Sequence, residues 1–147
     1  MTAEEFIEWL GEAARRTCGS YGLFASVCVA QAALESGWGQ YIIGKYNLFG
    51  RKWGGSGAYI EQTTQEYEEG EWITIVDKFQ DYDSLDAALA DWCVLITEEP
   101  VYAPCLQYLN DREGFVAVLG PIYATDPDYA EKIMSIISSY SLAVLDV

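Results

Sequence analysis

The sequence predicts an α+β fold, mostly helical, with a helical lobe and a small β-hairpin lobe inserted between the second and third helices. Three observations carry this. Apolar residues recur at helical spacing behind recognisable caps through most of the chain. Two runs rich in Thr, Tyr and Ile, 59–67 and 72–79, flank the turn Glu69-Gly70. Before them lies a stretch with Gly44, Gly50, Gly54, Gly55 and Gly57 that reads as loop.

The first helix opens on a capping box, Thr2-x-x-Glu5. Phe6, Ile7, Leu10, Ala13 and Ala14 give it one apolar stripe, and Gly19 and Gly22 end it. The second runs from Ala25 to Glu35 with no polar stripe, which predicts a buried central helix. In the hairpin, Ile73, Ile75 and Phe79 alternate onto one face of the second strand. Ser84 caps a third helix with Leu85, Ala88, Leu89, Trp92, Cys93 and Ile96 inward, and Pro100 stops it. A short helical stretch follows with Leu106 and Leu109. Another helix carries Phe115, Val116 and Leu119 and is expected to end at Gly120-Pro121. The last is expected to be capped by Asp126, with Pro127 in its first turn and Ala130, Ile133, Ile136, Ile137 and Tyr140 buried.

Composition excludes several classes of function. At 147 residues and 51% hydrophobic content the chain is expected to be one folded domain, residues 1–147. No run approaches the roughly 20 apolar residues of a membrane span. The N-terminal Met1-Thr2-Ala3-Glu4-Glu5 is acidic and lacks the basic-then-apolar pattern of a signal peptide. The net charge of −15 argues against nucleic acid, since nothing neutralises phosphates. With no histidine, Ser-His-Asp and Cys-His catalysis are excluded, and the four cysteines form no CxxC pair, so no metal or cofactor is expected. Cys28 and Cys93 fall at apolar helical positions that suit buried thiols; the composition permits one disulfide but does not indicate a disulfide scaffold.

The chemically interesting stretch is AQAALESGWGQYIIGKYNLFG, residues 30–50. Glu35 lies in the last turn of an apolar helix, where the negative end of the helix dipole disfavours an anion. An aromatic loop beside it desolvates the carboxyl further, and both effects favour the protonated form. A protonated carboxylic acid in a cleft is the general acid that glycosidic bond cleavage requires. Trp38, Tyr41, Tyr46, Phe49 and Trp53 offer flat faces for sugar rings. Glu66 shares a strand face with Ile60, Gln62 and Thr64, and spacing alone leaves open whether that face meets a cleft or water; Glu61, Glu68, Glu69, Glu71 and Asp77 are rival acids nearby.

AQAALESGWG followed by NLFG resembles the signature of glycoside hydrolase family 73, the peptidoglycan N-acetylglucosaminidases of flagellar rod-cap proteins, autolysins and phage modules. TTQEYEEGEW resembles that family's Thr-x-Glu-Tyr hairpin, FQDYDSLDAALADW its Phe-x-x-Tyr-x-Ser segment, and YATDPDYAEKI its Tyr-Ala-Thr-Asp-Pro motif. Four motifs in the same order span about residues 5–140. The resemblance implies a lysozyme-like fold and an endo-β-N-acetylglucosaminidase that acts at the bacterial cell wall, outside the cell or delivered by phage. It implies Glu35 as general acid, Glu66 as the second carboxylate and Tyr123 as the motif tyrosine implicated in activity. The candidate substrate contacts are Trp38, Tyr46, Asn47, Phe49, Trp53, Tyr102 and Tyr129. The expected partner is the peptidoglycan glycan strand, with no membrane or nucleic acid, and a monomer is expected. Two departures stand out: the family commonly follows NLFG with Ile-Lys where this chain has Arg51-Lys52, and Tyr46 replaces a frequent second Asn. Two other readings remain: a lytic transglycosylase or muramidase-type cleavage, and a wall-binding or phage-tail module without turnover.

Overall fold

The structure, a computed structural model, describes residues 1–147. In chain order it holds α1 (Ala3–Ser20), α2 (Ala25–Ser36), β1 (Tyr59–Glu68), β2 (Glu71–Gln80), α3 (Leu85–Glu98), a 3-10 helix (Pro100–Tyr108), α4 (Arg112–Tyr123), α5 (Tyr129–Ser139) and a last 3-10 turn (Leu142–Leu145). The helical body with one hairpin between α2 and α3 is therefore the observed order. No helix is long and apolar enough to cross a membrane.

The capping box forms as read: Glu5 N donates to Thr2 Oγ1 at 3.1 Å and Thr2 N to Glu5 Oε1 at 2.9 Å. Phe6, Leu10, Ala14 and Cys18, four residues apart, make the buried stripe of α1. α2 is the axis of the lobe, with every side chain from Ala25 to Ala33 buried. Its small residues let neighbouring helices approach closely, and α1, α5 and the last 3-10 turn all pack on it. α3 contributes Trp92, the largest fully buried side chain. All four cysteines are buried free thiols; Cys18 and Cys93 meet across α1 and α3 at 3.8 Å between sulfurs, so the disulfide that the composition permits is not formed.

Two helix boundaries differ from the sequence reading. α4 does not stop at Gly120-Pro121 but continues to Tyr123. Proline lacks one donor, yet its φ suits a helix, and Ala124 N closes the last turn on the Gly120 carbonyl at 3.0 Å. Gly120 is needed for packing: a Cβ there would lie 2.9 Å from Ala130 Cβ on α5. α5 begins at Tyr129, not after Asp126. Asp126 instead organises the turn before it, accepting from Asp128 N through Oδ1 at 2.9 Å and from Lys132 Nζ through Oδ2 at 2.5 Å. Tyr140, expected inside, is partly exposed and lies against Trp38.

The strands pair antiparallel in register from Tyr59↔Gln80 to Glu68↔Glu71. Glu69 and Gly70 both take positive φ, +49° and +82°, the conformation of a two-residue turn whose twist matches the strands. Phe79 is the one buried residue of the two strands. The hairpin is fastened at its base, where Gln80 N donates to the Arg51 carbonyl and Trp53 N to the Lys78 carbonyl, both at 3.0 Å. Directly opposed residues share a face. Ile60, Gln62, Thr64 and Glu66 therefore stand with Phe79, Asp77, Ile75 and Ile73.

α2 ends one residue after Glu35 because Gly37 turns left-handed, with φ +57°, and Gly37 N and Trp38 N both close on the Ala33 carbonyl. A Cβ at Gly37 would approach Tyr41 Cδ2 to 2.8 Å, but that exposed ring can swing away, so the backbone strain decides. Gly37→Ala should lower stability by about 1–2 kcal/mol in chemical denaturation, with cooperative unfolding retained.

Candidate active site

Beside Glu35 opens a cavity of about 510 Å³ lined by Glu35, Phe49, Gly50, Arg51, Lys52, Leu95, Tyr102, Tyr123, Ala124 and Thr125. One wall is the helical lobe; the other is the loop that carries the hairpin base. A somewhat larger cavity, about 590 Å³, shares the Tyr123–Thr125 wall and is lined largely by residues 117–127. Its only carboxylate, Asp126, is already paired with Lys132. The chemistry therefore points to the cavity that holds Glu35.

A directional hydrogen-bond chain holds that carboxyl. Trp92 Nε1, which can only donate, gives its hydrogen to Gln31 Oε1 at 2.8 Å. That orients the Gln31 amide so that Nε2 donates to the Tyr129 hydroxyl at 3.0 Å. The Tyr129 hydrogen is then left for Glu35 Oε1, 2.9 Å away. Trp92, Gln31 and Tyr129 are all buried. One oxygen of Glu35 is thus occupied by a fixed donor, and the other remains for a proton.

Glu35 is still open to solvent along the cleft. Desolvation by the protein packed around its carboxyl nevertheless raises its pKa above the ordinary carboxylate value, and the Tyr129 hydrogen bond opposes this to a smaller extent. The Tyr129 and Tyr123 hydroxyls are pushed well up, burial being the largest cause for each, so both stay protonated. The Tyr123 ring stacks on Tyr129 at 5.7 Å and 14°, and Tyr102 lies 6.4 Å from Tyr123. Tyr102 and Tyr123 thereby form part of the cavity wall beside Glu35, with Tyr129 behind it.

The remaining sequence candidates separate clearly. Tyr102 and Tyr123 line the cleft, and Tyr129 lies behind Glu35 as its donor. Asn47 is only 1% exposed and is not open to a ligand; its amide donates to the carbonyls of Arg51 and Gln80 and accepts from Arg51 N, because a buried amide must satisfy both ends. Phe49 borders the cleft but is 5% exposed and stacks on Trp92, so it offers little face for a sugar. Trp38, itself at φ +58°, packs between Phe6 and Tyr140, centroids 5.8 and 4.8 Å away, and serves the turn after α2. Tyr46 and Trp53 do not line the cleft; the Trp53 indole donates to the Ser56 carbonyl and lies tilted against Tyr59 under Lys78. Glu66 is exposed, and its side chain stands free of the hydrogen bonds that fix Glu35. Six residues separate it from the Ile60–Phe79 pair at the hairpin base, which is roughly 20 Å of strand. Sequence reasoning missed Gln31, Trp92 and Arg51. Gln31 carried a signal: a single amide in an otherwise apolar buried helix requires partners.

A helical lobe with a partly desolvated acid at the end of its central helix, facing a cleft at the foot of a hairpin, is the architecture of a lysozyme-like glycoside hydrolase domain. A glucosaminidase family model, described as mannosyl-glycoprotein endo-beta-N-acetylglucosaminidase, matches residues 11–142. The peptidoglycan hydrolase FlgJ of Salmonella typhimurium is 40% identical over 143 residues, covering 92% of this chain and 45% of that protein. The chain thus spans about half the length of that relative. The catalytic domain of the autolysin Auto from Listeria monocytogenes superposes with a TM-score of 0.86 at 34% identity, over 97% of this chain and 86% of that one. The glycoside hydrolase domain of Salmonella typhimurium FlgJ, truncated at its C-terminus, superposes at 0.79 with 36% identity, over 95% and 98% of the two chains. The chain belongs to the glucosaminidase family.

Tyr129→Phe removes the donor that favours ionised Glu35, so the Glu35 pKa should rise further. If Glu35 works as an acid, the alkaline limb of the kcat/KM profile then moves to higher pH. Gln31 Nε2 also loses its acceptor, at about 1–3 kcal/mol of stability. A pH–rate profile and a denaturant melt of the variant check both effects.

Proposed function

We propose that this domain hydrolyses the β-1,4 bond that follows N-acetylglucosamine within the glycan strands of peptidoglycan, with Glu35 as the general acid. The observation that carries the reading is the state of Glu35: desolvation favours its protonated form, and Tyr129 occupies one oxygen and leaves the other to deliver a proton. The tyrosine-walled cavity suits a sugar ring, and peptidoglycan is the substrate class named for FlgJ.

Departure of the leaving sugar creates an oxocarbenium-like centre that needs a partner. Tyr123 lines the cleft beside Glu35, whereas Glu66 stands far along the hairpin. This favours attack by the substrate's own 2-acetamido group, with Tyr123 orienting it. A second reading gives Glu66 the role of activating water. It is supported by the strand face that Glu66 shares with Asp77, the ion-pair partner of the cleft residue Lys52. Inversion requires carboxyls about 6.5–9.5 Å apart, so this reading needs the hairpin to bend over the cleft.

Glu35→Gln should lower the rate on purified peptidoglycan by about 10²–10⁴-fold. It should not lower stability at neutral pH. A raised carboxyl pKa means that the folded state holds the proton longer than the unfolded one, so wild-type stability declines as pH rises from the ordinary value of 4.5 through the folded pKa. The variant lacks that decline. Mass spectrometry of wild-type digests should show reducing N-acetylglucosamine ends. Terminal 1,6-anhydro sugars would instead identify a lytic transglycosylase, and intact strands that remain bound would identify a wall-binding module. Substrate assistance predicts that Tyr123→Phe costs at least as much rate as Glu66→Gln. Rescue of Glu66→Gln by azide, with an inverted product, would establish the water-activating role.

A further inference from the structure

We propose that Arg51 forms an anion subsite of this cleft, binding a carboxylate carried on the 3-O-lactyl substituent of muramic acid: the lactyl carboxyl itself or one on the peptide attached to it. The proposal rests on the peptidoglycan reading of the same cleft. It starts from a difficulty of charge. The chain carries 23 acidic and 8 basic residues, yet each muramic acid of its proposed substrate carries at least one carboxylate. Attraction must therefore come from a local cation.

Most basic side chains are already occupied. Arg15, Arg16, Lys45, Lys52, Arg112 and Lys132 each pair with an acid outside or at the rim of the cleft, and Lys78 lies over Trp53 and Tyr59. Arg51 differs in its geometry. Its Nε donates to Asp91 Oδ2 at 3.0 Å, the Tyr82 hydroxyl that also holds Asp91 lies beside the same guanidinium, and the side chain is 33% exposed. Because its one carboxylate partner is engaged through Nε, the outer edge of the guanidinium, two parallel donors, is left to meet a second carboxylate.

The group is also built in place. The buried Asn47 amide holds both the N–H and the carbonyl of Arg51, and Gln80 N donates to the same carbonyl. Asp91 is itself held by the Tyr82 hydroxyl. Arg51 and Glu35 line one cavity, and the Arg51 charge is felt at the hydroxyls of Tyr102 and Tyr123 on its wall. A cation fixed at both backbone and side chain, with an outer donor edge beside the acid, recognises a substituent of the sugar without entering the bond-breaking step.

The test uses three soluble glycan strands: peptide-bearing strands, strands stripped by an amidase so that each muramic acid ends in a free lactyl carboxylate, and stripped strands capped as methylamides. Wild type should favour a carboxylate-bearing strand over the capped one by about tenfold in kcat/KM, the effect of one exposed charge-assisted contact. Arg51→Gln should remove most of that preference through KM, and Arg51→Lys should keep part of it. Preference for stripped strands assigns the lactyl carboxylate; preference confined to peptide-bearing strands assigns the peptide. A wild type that prefers neither carboxylate-bearing strand to the capped one, or an Arg51→Gln protein that keeps the preference, overturns the proposal. Calorimetric titration of Glu35→Gln, with and without Arg51→Gln, reads the same difference as Kd. If wild type cleaves no strand while Arg51-dependent binding persists, the hydrolase reading fails and the subsite stands.

Discussion

The hydrogen-bond chain from Trp92 through Gln31 and Tyr129 to Glu35 is the constraint on which the site depends. It runs in one direction because an indole can only donate. Its first three members are buried, so none can exchange its partner for water without cost. They come from α3, α2 and α5, so the helices must pack correctly before the Glu35 carboxyl is oriented. The polar residues in this core thus specify an arrangement, and an apolar residue at Gln31 would leave Trp92 and Tyr129 each short of a partner.

The same arrangement sets Glu35 between two opposing demands. Desolvation raises its pKa, while the hydrogen bond from the Tyr129 hydroxyl lowers it to a smaller extent. The general acid proposed at Glu35 needs both: a proton available for transfer, and a carboxylate that is not prohibitively unstable once the proton has left. Glu35 also lies in the last turn of α2, where the helix dipole acts against the anion. The buried small-residue axis that stabilises the lobe therefore also carries the acid to the cleft.

The hairpin follows different physics. A two-stranded sheet is marginal by itself, and here its one buried residue, Phe79, sits at the base. Asn47 joins the loop after α2 to that base through its bonds to Arg51 and Gln80. One buried amide consequently serves both the attachment of the hairpin and the placement of the Arg51 cation. The tip, with Tyr67 and Trp72 packed edge to face in solvent, lies beyond this anchorage.

Much of this was legible in the sequence. Local patterns determined the capping box, the apolar character of α2, the Glu69-Gly70 turn and the place of Glu35 at a helix end, because each depends on neighbours within a few positions. The family motifs added the fold and drew attention to Glu66 and Tyr123. The boundaries of α4 and α5 escaped the sequence reading because Gly120 answers to the approach of Ala130, and Asp126 to Lys132 and the turn. Aromatic residues that read alike were sorted only by packing: Trp38 went inward against Phe6 and Tyr140, Phe49 and Tyr102 are largely buried at the border of the cleft, and Tyr123 is the more open of the tyrosines that line it. The partners of Glu35 were likewise beyond local patterns. Gln31 and Trp92 are 61 positions apart and Glu35 and Tyr129 are 94 apart, and only the docking of α3 and α5 onto α2 makes them neighbours.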